Sequence, residues 1–316
     1  MSRIYEALQK AESERRQERP EPVVAEPVST TAVAEHQPPM PLQAEALAPA
    51  AVAEPLPPVA EARAAAPARL DISGVPRKPW TPSYTKLPAL MERGSAVEQF
   101  RSLRSRLYEL RDVQPLKSVL VSSGLPQEGK SFVAANLAIS LARHKNSKVL
   151  LIDGDMRRYT LHQLLGCESS PGLAEYLGGK ASMTEVMQRP EEGKDKEKIW
   201  QTILPNLTFI AGGNGGDRAA DLSGSPRFSE LLHAAAPFFD WIIVDSSPVI
   251  PVSDAVNLAR SCDGVLLVAR GGVTKYENAQ RAQGELKASN ILGFVLNGTE
   301  KQPHSGNYYG YNSESE

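Results

Sequence analysis

Residues 122–131 read "SSGLPQEGKS", and this stretch decides the fold. Gly124, four residues, Gly129, Lys130 and Ser131 match the pattern G-x-x-x-x-G-K-[ST]. Glycines let backbone N–H groups curl around phosphate oxygens, and the start of the next helix adds its positive dipole end. Lys130 brings charge to the β/γ-phosphates and Ser131 brings a hydroxyl to Mg²⁺. The pattern alone has chance matches, so its flanks matter. Here "KSVLVSS" (117–123) reads as a buried strand and "KSFVAANLAISLARH" (130–144) as a small-residue helix, the required strand–loop–helix context. A nucleotide site is therefore expected over Gly124, Gln127, Glu128, Gly129, Lys130, Ser131 and Phe132.

Working outward, "SKVLLID" (147–153), "LTFIAG" (207–212), "WIIVDSSP" (241–248), "DGVLLVAR" (263–270) and "ILGFVLNG" (291–298) are strand-length apolar runs. Helical patterns fall between several of them: "PRFSELLHAAA" (226–236), "SDAVNLARS" (253–261) and "TKYENAQRAQGELKAS" (274–289). Continuous Val/Ile/Leu strands alternating with helices predict an α/β domain, a P-loop NTPase with a mostly parallel sheet covered on both faces. Two strands end in carboxylates, Asp153 with Asp155 and then Asp245. Ligands in open α/β sheets lie beyond the carboxyl ends of the strands, so each aspartate projects toward the phosphate position. No Asn-Lys-x-Asp guanine-reading run occurs, which favours ATP. Asn297, closing the last strand, faces the base or starts a turn. Arg157 and Arg158 steady a phosphate oxygen or decorate a solvated helix start.

The chain's two ends are different in kind. Fifteen of the 25 prolines fall between Pro20 and Pro88, among Ala, Glu and Val without helical or strand periodicity. Such a segment buries too little apolar area to offset ordering entropy, and residues 20–94 read as a disordered linker. Residues 1–19 hold a short amphipathic helix on Ile4, Ala7, Leu8 and Ala11. Residues 95–300 form the catalytic domain, opening on a helix from Ser95 to about Arg111 with Ser95 and Glu98 as a capping box. Residues 301–316 are a flexible tail holding Tyr308, Tyr309 and Tyr311, three of the chain's nine tyrosines. A net charge of −2 and a pI near 6.3 give no electrostatic case for nucleic acid or an anionic membrane. No run approaches the roughly 20 apolar residues of a membrane helix, and the N-terminus lacks the apolar core of a signal peptide. Cys167 and Cys262 stand apart from any metal spacing and suit buried thiols. A soluble, cytoplasmic protein is expected.

These residues resemble the bacterial tyrosine kinases of capsule and exopolysaccharide assembly, in their stand-alone cytoplasmic form. The likeness rests on "EQFRSLR", "SSGLPQEGKS", "VLLIDGDMRR", "WIIVDSSP", "SDA", "VLN" and the tyrosine tail. The opening "MSRIYEALQKAE" is similar to the exosortase-associated members. "VDSSP" and "RRY" depart from the family's usual Asp-Thr-Pro-Pro and Arg-Arg-Pro. The resemblance places Lys130 and Ser131 in Walker A, Asp245 in Walker B, and Asp153 and Asp155 in an additional aspartate motif. One of that pair helps Ser131 and Asp245 hold Mg²⁺, and the other faces the acceptor hydroxyl, a role favoured for Asp155. It implies ATP and Mg²⁺ as cofactors and autophosphorylation in trans of Tyr308, Tyr309 and Tyr311. It implies a homo-oligomeric ring using Glu98, Arg101 and Arg104, which share one broad helix face. It also implies a separate membrane activator of the polysaccharide co-polymerase type, a cognate tyrosine phosphatase, and peripheral recruitment to the inner membrane. ParA/MinD-type ATPase switches share the fold, but they carry an additional lysine early in the loop, which Gly124–Glu128 lacks. A nucleotide-dependent scaffold without kinase activity is the third reading.

Overall fold

The computed structural model describes residues 74–144, 147–191 and 204–299. The expected helix at residues 1–19, the linker up to residue 73 and the tyrosine tail lie outside the described residues. Among the described residues eight strands are formed: β1 (Arg77–Lys78), β2 (Ser118–Ser123), β3 (Val149–Asp153), β4 (Met187–Pro190), β5 (Leu207–Ile210), β6 (Trp241–Asp245), β7 (Gly264–Arg270) and β8 (Ile291–Asn297). They make one sheet in the order β1-β4-β5-β3-β6-β2-β7-β8. Every neighbouring pair is parallel except β4 with β5. From β2 the chain moves to β3 on one side and later to β7 on the other, so the sheet reverses direction beside β2. That switch point is where a crevice opens at the strand ends.

Alternation along the strands divides the core. Val119, Val121, Leu151, Phe209 and Ile243 face one layer, with α1 (Ser95–Val113) and α2 (Lys130–Ala142). Leu120, Leu150, Ile152, Ile242 and Val244 face the other. That second layer includes α7 (Pro226–Ala235), α8 (Asp254–Ala259) and α9 (Tyr276–Glu285). The short helices α3 (Leu161–Leu165), α4 (Leu173–Leu177), α5 (Met183–Val186) and α6 (Ala219–Ser223) complete the α-helices among the described residues. Helix α2 is buried from Val133 to Ala142, because Ala and Ser let it sit flush between the sheet and α1. Each large aliphatic side chain so buried contributes roughly 1.5–3 kcal/mol.

The domain starts earlier than the composition suggests. Residues 74–94 are not linker: Trp80, Leu87, Ala89 and Leu90 are buried in the first core layer, and β1 extends the sheet beside β4. Trp80 meets Phe209 edge to face at 6.2 Å. Asn136 of α2, fully buried, fastens this strap by accepting from Ala89 N–H (3.0 Å) and donating to the Lys86 carbonyl (3.3 Å). Arg143 donates to the carbonyls of Ala89 and Met91. The expected capping box is also corrected. Ser95 is already the first helical residue, behind Gly94 at a positive φ of 142° with no side-chain cap, and Glu98 pairs instead with Arg101.

Candidate active site

The loop between β2 and α2 holds its shape through contacts behind it. Gln127 (φ 64°) and Gly129 (φ 97°) both take left-handed backbone, which turns the loop sharply before Lys130. Glu128 is buried inside the turn, its carboxylate accepting from Leu125 N–H (2.8 Å) and from the Thr274 hydroxyl. Asn297 donates its amide to the Glu128 carbonyl (3.0 Å), and Arg270 reaches the Gln127 carbonyl (3.4 Å). A Cβ on Gly129 would lie 1.9 Å from the Asn297 amide nitrogen, so only glycine fits there. Asn297 thus backs the loop through its amide, whereas the sequence suggested the base or a turn.

In front of the loop, the structure brings the predicted carboxylates to one place. Asp153 and Asp245 are paired in register at the ends of β3 and β6. Lys130 Nζ donates to Asp155 Oδ2 at 2.9 Å and approaches the Ser131 hydroxyl at 3.3 Å. Burial opposes charge on Lys130, but Asp245, Asp155 and Asp153 outweigh it and raise its pKa. Asp153 is enclosed; its oxygens accept from the N–H groups of Asp155 (3.2 Å), Thr160 and Leu161 (both 3.1 Å). Burial and then the Asp245 charge push Asp153 well above the usual carboxylate range, against the opposing Leu161 N–H and Lys130. Burial likewise pushes Asp245 up to about 6, opposed by Lys130, the Ser131 hydroxyl and the Ser246 N–H. Those two donors are near, yet neither Asp245 oxygen completes a well-formed hydrogen bond among the described residues.

A buried carboxylate without a partner, beside a hydroxyl, offers the oxygen ligands a hard cation takes, so Asp245 and Ser131 fit Mg²⁺. Among the described residues no cluster of three or more His, Cys, Asp or Glu is placed to hold a metal. Mg²⁺ is commonly held by one or two carboxylates and completed by phosphate and water oxygens. The site opens into a cavity of about 410 Å³. Pro126, Phe132, Pro248, Pro251 and Val252 give it apolar walls; Lys130, Asp155, Arg157 and Arg158 supply its charges.

The arginine pair divides. Arg157 is held by the buried Asp254 at the start of α8, Nε to Oδ2 at 2.7 Å and a second contact at 3.4 Å. The pair staples the segment carrying Asp155 to the β6–α8 connection. Sequence reasoning overlooked Asp254 and Thr274, though "SDA" was a visible signal for the first. On α1, Glu98 and Arg101 are an exposed ion pair, and Arg104 donates to the Ser140 carbonyl at 2.7 Å. Tyr308, Tyr309 and Tyr311 lie outside the described residues. No helix among the described residues is long and apolar enough to cross a membrane.

A strand–loop–helix phosphate cradle, a lysine and three strand-end carboxylates define a P-loop nucleotide-using protein. Its relatives narrow the class. Tyrosine-protein kinase YwqD of Bacillus subtilis is 34% identical over 216 residues, covering 68% of this chain and 85% of that one. Tyrosine-protein kinase etk of Escherichia coli K12 is 33% identical over 210 residues, covering 66% of this chain and 27% of that one. The solved kinase domain of Escherichia coli ETK superposes with a TM-score of 0.59 at 32% identity, over 69% of this chain and 81% of that one. The chimerical protein CapA2B2 gives 0.61 at 25% identity, over 72% and 96%. No family model matches the chain. The chain belongs to the bacterial tyrosine-protein kinases.

Proposed function

We propose that this kinase uses MgATP to phosphorylate Tyr308, Tyr309 and Tyr311 of a neighbouring copy, in a system that polymerises and exports exopolysaccharide. The observation that carries the reading is the Lys130–Asp155 ion pair lining the cavity, 12% and 5% exposed. It sets the phosphate-binding lysine directly against a carboxylate that faces an apolar-walled space. ATP supplies the phosphoryl group, and Mg²⁺ neutralises its charge. The loop from Gly124 to Ser131 would hold the phosphates, with Ser131, Asp245 and Asp153 toward the metal. Lys130 would exchange Asp155 for phosphate oxygens, which frees Asp155 Oδ2 to accept the phenol proton. A phenol starts near pKa 10, so the carboxylate takes that proton as the new bond forms. Positioning and charge neutralisation are most of what phosphoryl transfer asks of a protein.

The eleven residue steps from Asn297 to Tyr308 span at most roughly 37 Å and on average about 18 Å as coil, enough to cross a subunit boundary. Glu98 and Arg101, exposed on α1, are the proposed ring contact, with Arg104 behind them. Each phosphate adds about −1.5 to −2 charge, so a fully modified tail gains about −5 and loosens the ring by repulsion. Recruitment to the inner membrane would come from a co-polymerase-type activator, and a phosphatase would reset the tail. Full-length protein incubated with labelled ATP and Mg²⁺, beside a Tyr308/Tyr309/Tyr311→Phe variant, tests the reading. Label should vanish in the variant. Hydrolysis without label in either protein would instead support an ATPase switch or scaffold.

A further inference from the structure

Among the described residues four charged side chains line the cavity, and three of them have partners. Lys130 is paired with Asp155, and Arg157 with Asp254. Arg158 is exposed at the cavity, and its guanidinium has no hydrogen-bond or ion-pair partner among the described residues. Its backbone fixes where it stands. Arg158 N–H donates to Asp155 Oδ1 at 3.0 Å, so the side chain leaves the cavity floor immediately beside the proposed proton acceptor. Neighbouring walls are Pro248, Pro251 and Val252, which carry no charge. Among the described residues the mouth therefore presents one uncompensated cation, next to a slot whose apolar sides suit a phenol ring.

From this arrangement we infer that Arg158 is a specificity-determining residue that reads an acidic side chain on the carboxyl side of the acceptor tyrosine. The inference rests on the tail being the substrate. Tyr311 is followed by Asn312, Ser313, Glu314, Ser315 and Glu316. Three residues of extended chain span roughly 10 Å. With the Tyr311 hydroxyl brought to Asp155, an extended acceptor would carry Glu314 to the cavity mouth, at the reach of an arginine rooted beside that carboxylate. The same chemistry orders the reactions. Once Tyr311 carries phosphate, its charge lies two and three residues beyond Tyr309 and Tyr308, and Arg158 would accept it in place of Glu314. Modification then proceeds from the carboxyl end of the cluster toward its amino end.

The test uses the full-length Tyr308/Tyr309/Tyr311→Phe kinase, which cannot label itself on the tail, with synthetic acceptors spanning residues 303–316. One acceptor has the native sequence and a second carries Glu314→Gln and Glu316→Gln; KM is measured for peptide and for ATP separately. The native peptide should have the lower KM by roughly fivefold, the size of one partly exposed ion pair, and the gap should close at high salt. Arg158→Ala should raise the KM of the native peptide to that of the neutral one. Arg158→Glu should reverse the preference toward a Glu314→Lys/Glu316→Lys peptide. Equal use of the acidic and neutral peptides overturns the proposal and leaves the tail as substrate. A higher KM for ATP in Arg158→Ala, with the peptide preference intact, also overturns it by placing Arg158 on the nucleotide. If no tail peptide is phosphorylated while ATP still binds, the tail reading itself falls and takes this one with it.

Discussion

Asp245, proposed above to face the metal, should weaken the folded protein. Burial raises its pKa from 3.8 to about 6, so the folded state holds this proton more tightly than the unfolded chain. The sign follows: ionising Asp245 costs nothing below pH 3.8, costs progressively more through about pH 6, and carries its full cost above that. An interval of about 2.2 pH units at 1.36 kcal/mol each gives a penalty of about 3 kcal/mol at pH 7.5. The same linkage leaves roughly half of that penalty at pH 5. Asp245→Asn keeps the shape and removes the charge, so the ligand-free variant should melt higher than its parent at pH 7.5. For a domain of this size the gain is roughly 2–4 °C per kcal/mol, and about half of it should disappear at pH 5. Saturating MgATP should stabilise the parent more than the variant, since ligand binding to the folded state adds RT ln(1 + [L]/Kd). Scanning calorimetry at the two pH values, with and without MgATP, reads all of this. A variant that melts at or below the parent at pH 7.5 would refute the reasoning, as would a gain that does not shrink at pH 5.

Other outcomes follow from the same geometry. Arg157→Met leaves the Asp254 carboxylate buried without its cation; urea unfolding should show a loss of about 2 kcal/mol, moderated because Arg157 is partly exposed. An Arg157→Met/Asp254→Asn double variant should recover part of that, measured as a non-additive cycle. Gly129→Ala drives a methyl into the Asn297 amide at 1.9 Å and strains a φ of 97°, so fluorescent-nucleotide titration should show at least a ~100-fold loss of affinity, about 3 kcal/mol. Trp80→Ala opens a void under the strap and should lower unfolding free energy by about 3–5 kcal/mol in denaturant titration. A chain beginning at Ser95 should express as unfolded or aggregated protein, because it lacks Trp80, Leu87 and Leu90 altogether.

What could be read from the sequence was what lies close together along it. The phosphate loop, its lysine and the strand-end aspartates are each a run of a few residues, and the structure gathers Lys130, Asp153, Asp155 and Asp245 as that local reading required. Contacts between distant segments were not legible: Glu128 with Thr274 spans 146 positions and Arg157 with Asp254 spans 97. Nothing in local spacing selects one distant partner over another. The strap was a different kind of miss. Proline density masked Trp80, Leu87 and Leu90, although a tryptophan in such a stretch is itself a sign of burial. The capping box failed for a smaller reason, since the helix begins one residue earlier than that motif demands and Glu98 turns to Arg101.

The sheet's two margins are built unlike each other. On one side the last strand is two basic residues, Arg77 and Lys78, between Pro76 and Pro79, too short and too charged to template another chain. On the other, β8 runs seven residues with Phe294 and Leu296 exposed, interrupted by the irregular pairing beside Gly293. Cross-strand aggregation on heating or overexpression will therefore start at Ile291–Asn297, and a lysine at position 294 or 296 is the change that would keep concentrated preparations clear.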